Sequence, residues 1–449
     1  MMNPRVIPFV PGHWLFGHAR LMQKDAHRLV ADLCQAREGI VRFRVMNRRF
    51  VATTNPAYVR HWLVTRHERY GRSFPMRNGG LVLDGGLLTS DGEHWLRRRR
   101  TLLPPFRPSR LAPLVEATHA ATGALLERWE ALRRRGEPVS IAREMRRLTL
   151  DVMSRMLFSE PMAPDTADGF GDKVTQGLQL VFRRNYYPLP LPFWLPAPDH
   201  VRLRRIKSQL DQYMLKRIVE RRASPPSEPR DLLDFIRGAR DPDSGTPLSA
   251  EELLAEVKTV FVAGFETAAT ALTWALYSLA GHPEEDAAWA AELDAVLANR
   301  PPAWEDIPRL TYLSSVIHET LRLYPPVFAT VRQALVDDEM DGYRLPEGTL
   351  CLASIFGIHR SPVWWPDPEA FRPARFAPGR PWPKDAFLPF ATGKHVCIGN
   401  HFSLLEMTVA LATIGQRYRL EPVDDRPLGM RPQVTLAPDR ELFLRLRPR

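Results

Sequence analysis

Apolar residues along this chain recur mostly at three- and four-residue intervals, and the pattern is clearest over residues 111–135, 141–158, 201–222 and 232–237. Each stretch predicts a helix with one buried face. Ahead of them, through about Thr54, a proline-rich lead gives way to short runs at 40–45 and 49–53 that predict strands. The most apolar stretch, 259–275, is hydrophobic nearly all round a helical wheel. Ser249 and Glu252 form an S-x-x-E capping box before it, and Gly281-His282-Pro283 supplies a stop after it. Residues 250–280 therefore read as one helix of about 45 Å at a rise of about 1.5 Å per residue. A helix with no polar face must run through the interior of a large unit, which favours one big, mainly helical domain over several small ones.

Two proline-dense segments interrupt the helices. Residues 186–198 carry Tyr186, Tyr187, Leu189, Leu191, Phe193 and Trp194 between prolines, so the segment is apolar without being able to form a helix. It reads as a loop packed on the core, or as an apolar lip over a binding cavity or a membrane-touching patch. Residues 364–383, rich in proline and tryptophan, predict a fixed, extended meander. A polar break at 223–230 reads as a loop inside the domain, and no internal repeat shows.

Composition narrows the classes. The 449 residues are 44% hydrophobic and 25% charged, ordinary for a globular protein and unlike a disordered, collagen-like or polytopic membrane chain. The three cysteines, Cys34, Cys351 and Cys397, lie too far apart to suggest a disulfide framework or a paired-cysteine zinc site, so a cysteine that matters acts alone. Pro4, Pro8, Pro11 and Gly12 break up the N-terminal apolar residues, arguing against a signal peptide or a spanning helix and for a cytoplasmic protein. Lys and Arg outnumber Asp and Glu by 62 to 51, a formal charge of +11. Arg97, Arg98, Arg99 and Arg100 form the densest basic run, but no zinc-finger, basic-zipper or aromatic RNA-binding pattern accompanies it. The run reads as a solvated helix face or a docking patch for an acidic protein rather than a nucleic-acid site.

Three constellations carry chemistry. In the long helix, Ala263-Gly264-Phe265-Glu266-Thr267 sets an acid beside a threonine in apolar surroundings, which is costly unless both are hydrogen-bonded or functional. The small Ala263-Gly264 pair would let something flat and bulky approach the backbone, and Thr267 can bond a ligand or its own helix. On a helix predicted at 310–323, Glu319 and Arg322 share a face flanked by apolar residues. A buried bidentate pair with a further partner is expected there, and Arg375 is the candidate third member. The sharpest segment runs from Phe390 to Gly399. Gly393 permits a tight turn, Gly399 leaves room behind the Cys397 sulfur, and an uninterrupted helical pattern follows over 400–418. A cysteine at a helix N-terminus is favoured as a thiolate and can be a nucleophile, a redox sensor, a structural residue or a metal ligand.

F-x-x-G-x-H-x-C-x-G at 390–399, with A-G-x-E-T, E-x-x-R and P-x-R-F upstream in that order, resembles the cytochrome P-450 family of haem-thiolate monooxygenases. The similarity extends from Pro11-Gly12 to the end of the chain and implies one mainly α domain over 1–449, with a small β-rich side that includes residues 1–60. It makes Cys397 the axial ligand of a haem b iron, its sulfur bonded by backbone N–H groups beyond it, with Phe390 and Gly399 also against the cofactor. His395, where the family often has arginine, would pair with a haem propionate, as would Arg332, Trp95 and Arg99. Ala263 and Gly264 would face the haem, Thr267 would hydrogen-bond dioxygen and Glu266 would relay protons. Glu319, Arg322 and Arg375 become a structural triad that holds the meander and the cysteine loop.

The acid–threonine pair favours reductive activation of dioxygen, and a haem sensor or carrier would not need it. The sequence shows no flavin- or iron–sulfur-binding extension, so electrons would come from a separate ferredoxin or flavodoxin with its reductase. The Arg97 to Arg100 run is expected near the thiolate face as their docking patch. By resemblance, substrate contacts fall on Leu83, Leu87, Leu88, Phe182, Val260, Phe261, Val327, Phe328 and Leu436, with ordinary core packing the competing reading of each. The set is apolar, so the expected reaction is hydroxylation of a terpenoid, steroid-like compound, polyketide or fatty chain. Epoxidation, multistep oxidation or carbon–carbon coupling would use the same machinery. A monomer without a transmembrane segment or nucleic-acid partner is expected.

Overall fold

The computed structural model describes residues 5–73, 76, 78–185, 191–224 and 226–449. Pro4, Tyr186, Tyr187 and Leu189 lie outside the described residues.

The long apolar helix spans Ala250–Ala280 and forms the axis of the molecule. Its capping box is complete: the Ser249 hydroxyl accepts the Glu252 N–H at 3.2 Å, and the Glu252 carboxylate accepts the Ser249 N–H at 2.9 Å. Among the described residues it is also the one helix long and apolar enough to cross a bilayer, but its apolar surface is largely buried inside the protein. Helices Ile141–Phe158, Pro198–Ala223, Thr311–Leu323 and Asn400–Gly415 pack against it, and Ala112–Arg134 lies across the first and last of these. Trp129, Trp274 and Trp289 are fully buried in the resulting core. Large apolar side chains contribute roughly 1.5–3 kcal/mol each on burial, so this core dominates the stability.

The β-rich side is a five-stranded sheet in the order Ile40–Val45, Arg48–Thr53, Leu350–Ala353, Thr330–Ala334, Tyr70–Arg72. Only the pairing of Arg48–Thr53 with Leu350–Ala353 is parallel. Three of the five strands thus come from beyond residue 60. Cys351 is buried in this sheet and Cys34 in the helix beside it, where burial pushes both thiols up and leaves them inert.

Several elements differ from the sequence pattern. Helix Ala19–Gln35 occupies the lead that reads as irregular; its inner stripe includes His27 and Cys34, which weaken the apolar signal, and Asp25 kinks it. Helix Pro164–Arg184 escapes the pattern because Gly171 and Gly177 stand on its buried face, in contact with Leu150 and Ile206. Helix Pro283–Leu297 starts directly after the central helix, so Pro283 both stops one helix and opens the next, while Gly281 stays in the right-handed region. The helix after Cys397 ends at Gly415, and Tyr418 opens the strand Tyr418–Pro422.

Candidate functional site

The segment before Cys397 is shaped by backbone geometry. Ala391 and Gly393 both have positive φ, and a Cβ on Gly393 would overlap the Leu63 carbonyl, so only glycine fits there. The turn brings the Cys397 N–H to the Phe390 carbonyl at 3.0 Å, and Gly399 serves as N-cap of Asn400–Gly415. The Cys397 thiol keeps accessible surface although protein encloses it, which places it on an internal void. The Gly399 N–H bonds the sulfur and Arg99 attracts its charge, but burial outweighs both and pushes the thiol pKa up. The helix terminus alone therefore does not make a thiolate here.

Beside the thiol a group of cations converges. Trp95 and His395 have ring centroids 3.9 Å apart, the Arg99 guanidinium lies 5.6 Å from the Trp95 ring, and Lys394 lies 5.9 Å from it. Arg72, which the sequence reading misses, places Nη2 3.4 Å from His395 Nδ1 and is fixed by the Ser90 carbonyl at 2.9 Å. Strand pairing sets Arg72 directly opposite Arg332, so two buried guanidiniums lie side by side. Burial and then Arg72, Arg332, Lys394 and Arg99 drive the His395 pKa down to about 2, so the ring is neutral. Asp91 is the acid that acts on Arg72 and Arg332. Such a cluster of like charges calls for anionic groups in the adjoining void. No local motif marks Arg72; only the register of two distant strands reveals it.

The central helix shows a matching interruption. It is buried on both sides of residues 263–267, yet Ala263, Gly264, Glu266 and Thr267 all keep accessible surface. The Thr267 hydroxyl donates to the Ala263 carbonyl at 2.8 Å, which sets both residues on one face. Glu266 accepts from Thr175 at 3.1 Å; burial raises its pKa against the pull of Thr175 and Arg146. Gly264 has a second reason to be small, because a Cβ there would run into Met153 of helix Ile141–Phe158. The central helix packs on Asn400–Gly415, the helix that Cys397 precedes.

The predicted triad is assembled. Arg322 and Glu319 are both 0% exposed and joined at 2.7 and 2.9 Å, and Arg375 reaches Glu319 at 3.2 Å. Arg322 also donates to the carbonyls of His359, Pro368 and Ala370, while Glu319 accepts the Arg372 N–H at 2.8 Å. His359, absent from the sequence reading, continues the chain of bonds. Its Nδ1 meets the Arg322 carbonyl at 3.2 Å, and its Nε2 accepts the Leu388 N–H at 2.8 Å, just ahead of Phe390.

The predicted substrate contacts divide. Leu88 and Val327 expose 39% and 41% of their surface, Phe182 is half-buried, and Leu83, Leu87 and Val260 are buried with little accessible surface. Three others belong to the packing. Phe261 has no accessible surface and sits among Phe158, Phe170, Tyr213 and Phe265. Phe328 turns into the N-terminal cluster against His27. Leu436 is fully buried, its backbone tied to Pro326 and to the Trp274 indole N–H.

The arginine run is corrected as well. Arg97 pairs with Asp241 and Glu252, Arg98 with Glu252 and the buried Glu256, and Arg100 with Asp243, while Arg99 turns to Trp95. Arg97 and Arg98 are turned to partly buried acids, Arg100 pairs at the surface and Arg99 faces Trp95, so the run does not form one continuous free cationic face.

An enclosed, accessible thiol beside a cation cluster suits a flat metal cofactor bearing carboxylates. Among the described residues no group of three His, Cys, Asp or Glu could hold a metal ion. The cytochrome P450 family model matches residues 7–444. Cyclooctatin synthase of Streptomyces melanosporofaciens is 33% identical over 94% of this chain and 92% of its own length. Cyclooctat-9-en-7-ol 5-monooxygenase of the same organism is 32% identical over 91% and 88%. Leukotriene-B4 omega-hydroxylase 3 of Mus musculus is 34% identical over 82% and 74%. With the cysteine loop, the cation cluster and the interrupted central helix in place, the chain belongs to the cytochrome P450 family and is a haem monooxygenase acting on hydrophobic substrates.

Proposed function

We propose that this enzyme binds haem b through Cys397 and hydroxylates a terpenoid, using electrons from a separate ferredoxin or flavodoxin. The observation that carries the reading is the enclosed Cys397 thiol beside Arg72, Arg99, Arg332 and His395. The haem, when bound, supplies reductive activation of dioxygen, with one oxygen atom going to substrate and the other to water.

The chain's residues do the rest. Arg72, Arg99 and Arg332 would neutralise the propionates, Trp95 would pack on the cluster, and His395 would donate a hydrogen bond to a carboxylate. The Gly399 N–H withdraws charge from the sulfur and tunes its donation. The Thr267 hydroxyl would exchange its bond to the Ala263 carbonyl for one to dioxygen in the adjoining void. Glu266, whose pKa burial raises, would pass protons inward from Thr175. Accessible apolar positions such as Leu88 and Val327 would exclude water and hold a hydrocarbon skeleton. The two Streptomyces relatives named for cyclooctatin chemistry support a terpenoid over a fatty chain.

The test is spectroscopic. The reduced, carbon monoxide-bound protein should give the strongly red-shifted Soret band of a thiolate-ligated haem, and cyclic terpenoids should shift the iron spin state more than fatty acids do. A native, haem-replete protein without that band would end the reading.

A further inference from the structure

The mechanism leaves one buried cation unused. Lys258, on the central helix five residues before Ala263, is 0% exposed. Its Nζ pairs with Asp84 and, at 2.5 Å, with Asp211, and it donates to the Val82 carbonyl at 3.3 Å. Asp84 belongs to the segment that carries Leu87 and Leu88, and Asp211 to helix Pro198–Ala223. Lys207 of that helix completes the group, at 3.0 Å from Asp84 and 2.7 Å from Asp211. Two lysines and two aspartates from three elements thus neutralise one another, with the lysine of the central helix at the buried end.

The same segment is held at further points. Gly86 lies so close to the central helix that a Cβ would overlap Thr259 and the Ala255 carbonyl. The Leu87 N–H donates to Glu256 at 2.9 Å, its carbonyl accepts from Arg72 at 3.4 Å, and Arg98 bonds the Gly85 carbonyl. Residues 82–87 therefore run from the central helix to the cation cluster beside Cys397. All these ties belong to the segment and its neighbours except one: only the Lys258–Lys207 group also includes helix Pro198–Ala223.

We propose that Lys258 is a positioning residue for substrate passage, which with Lys207 joins the Asp84 segment to helix Pro198–Ala223 and so resists the parting of the two that opens the site. The inference rests on reading the void beside Cys397 as the haem and substrate site. A buried ammonium that loses one carboxylate is poorly compensated, so separating the two elements is strongly disfavoured and the closed arrangement is held. Removing the ammonium leaves Asp84 and Asp211 to share the more exposed Lys207, so the two elements stay joined by one weaker tie and part more easily.

The test uses haem-loaded protein and 4-phenylimidazole, which ligates haem iron and shifts its Soret band. In stopped flow, Lys258→Met should raise the association and dissociation rates together by about tenfold, leaving the equilibrium constant within about threefold. Asp211→Asn, on the outer and partly exposed helix, should do the same to a smaller extent, and Lys258→Arg should restore slow exchange. Asp84→Asn and Asp211→Asn should combine non-additively, because both act through one ammonium. Unchanged rates in Lys258→Met, or additive effects of the two aspartates, would overturn the proposal. If Lys258→Met does not retain haem, Asp211→Asn decides by the same criterion. Absence of the red-shifted carbon monoxide band in the parent protein would instead refute the haem-site reading.

Discussion

Cys397 combines an ordinary thiol with an unusual location. Cys397→Ala should abolish the red-shifted carbon monoxide band, whatever else of the fold survives. Thr267→Ala should lower product-forming turnover on the order of 10²-fold while dioxygen consumption continues, read as hydrogen peroxide released per electron. Glu256 makes a prediction about pH. Burial raises its pKa to about 7, opposed by the Leu87 N–H and Arg98, so the folded protein holds a proton that the unfolded chain gives up at the ordinary carboxylate value. The associated stability is present at low pH and lost as pH rises through about 7. Glu256→Gln, which keeps an acceptor for the Leu87 N–H, should flatten that slope in thermal melts between about pH 5 and 8. At this scale a motif fixes neighbours along the chain, so Cys397, His395, Glu266 and Thr267 could be named as candidates from the sequence. Arg72 and His359 were invisible because their partners are more than a hundred residues away or are backbone atoms. Phe261 misled because an apolar residue near a cavity and one in the core look alike until accessible surface separates them, while half-buried Phe328 is set apart only by its packing against His27.

Among the elements, the helix Thr311–Leu323 carries the heaviest constraint. Arg322→Ala would leave Glu319 buried without its main partner and the carbonyls of His359, Pro368 and Ala370 without a donor, a loss of about 3–5 kcal/mol by analogy with broken buried pairs. The expected outcome is soluble protein that fails to retain haem, measured as Soret absorbance per unit protein. The central helix could be read end to end because its capping box, uniform apolarity and proline stop all agreed. Helix Pro164–Arg184 could not, since its close approach to neighbours depends on glycines that a hydrophobic pattern scores as gaps. The sheet was half legible: its first hairpin is local, but the strands near 330 and 350 join it only through long-range pairing.

Across the whole molecule, charge tells a different story in three dimensions than along the chain. The densest basic run is tied to Asp241, Asp243, Glu252 and Glu256, so Arg98→Glu should lower the melting temperature by several degrees by setting like charges beside Glu252 and Glu256. A mere change in the salt dependence of reduction is not expected from it. The cations that do converge, at Arg72, Arg99 and Arg332, come from a strand, a helix and a second strand, and only the finished fold brings them together. The bond from His359 to the Leu388 amide has a counterpart in exchange kinetics. Leu388 lies in neither helix nor strand, yet its amide faces a buried imidazole that Arg322 in turn holds. In deuterium oxide that amide should exchange as slowly as those of the central helix, a protected site in a segment whose neighbours exchange quickly.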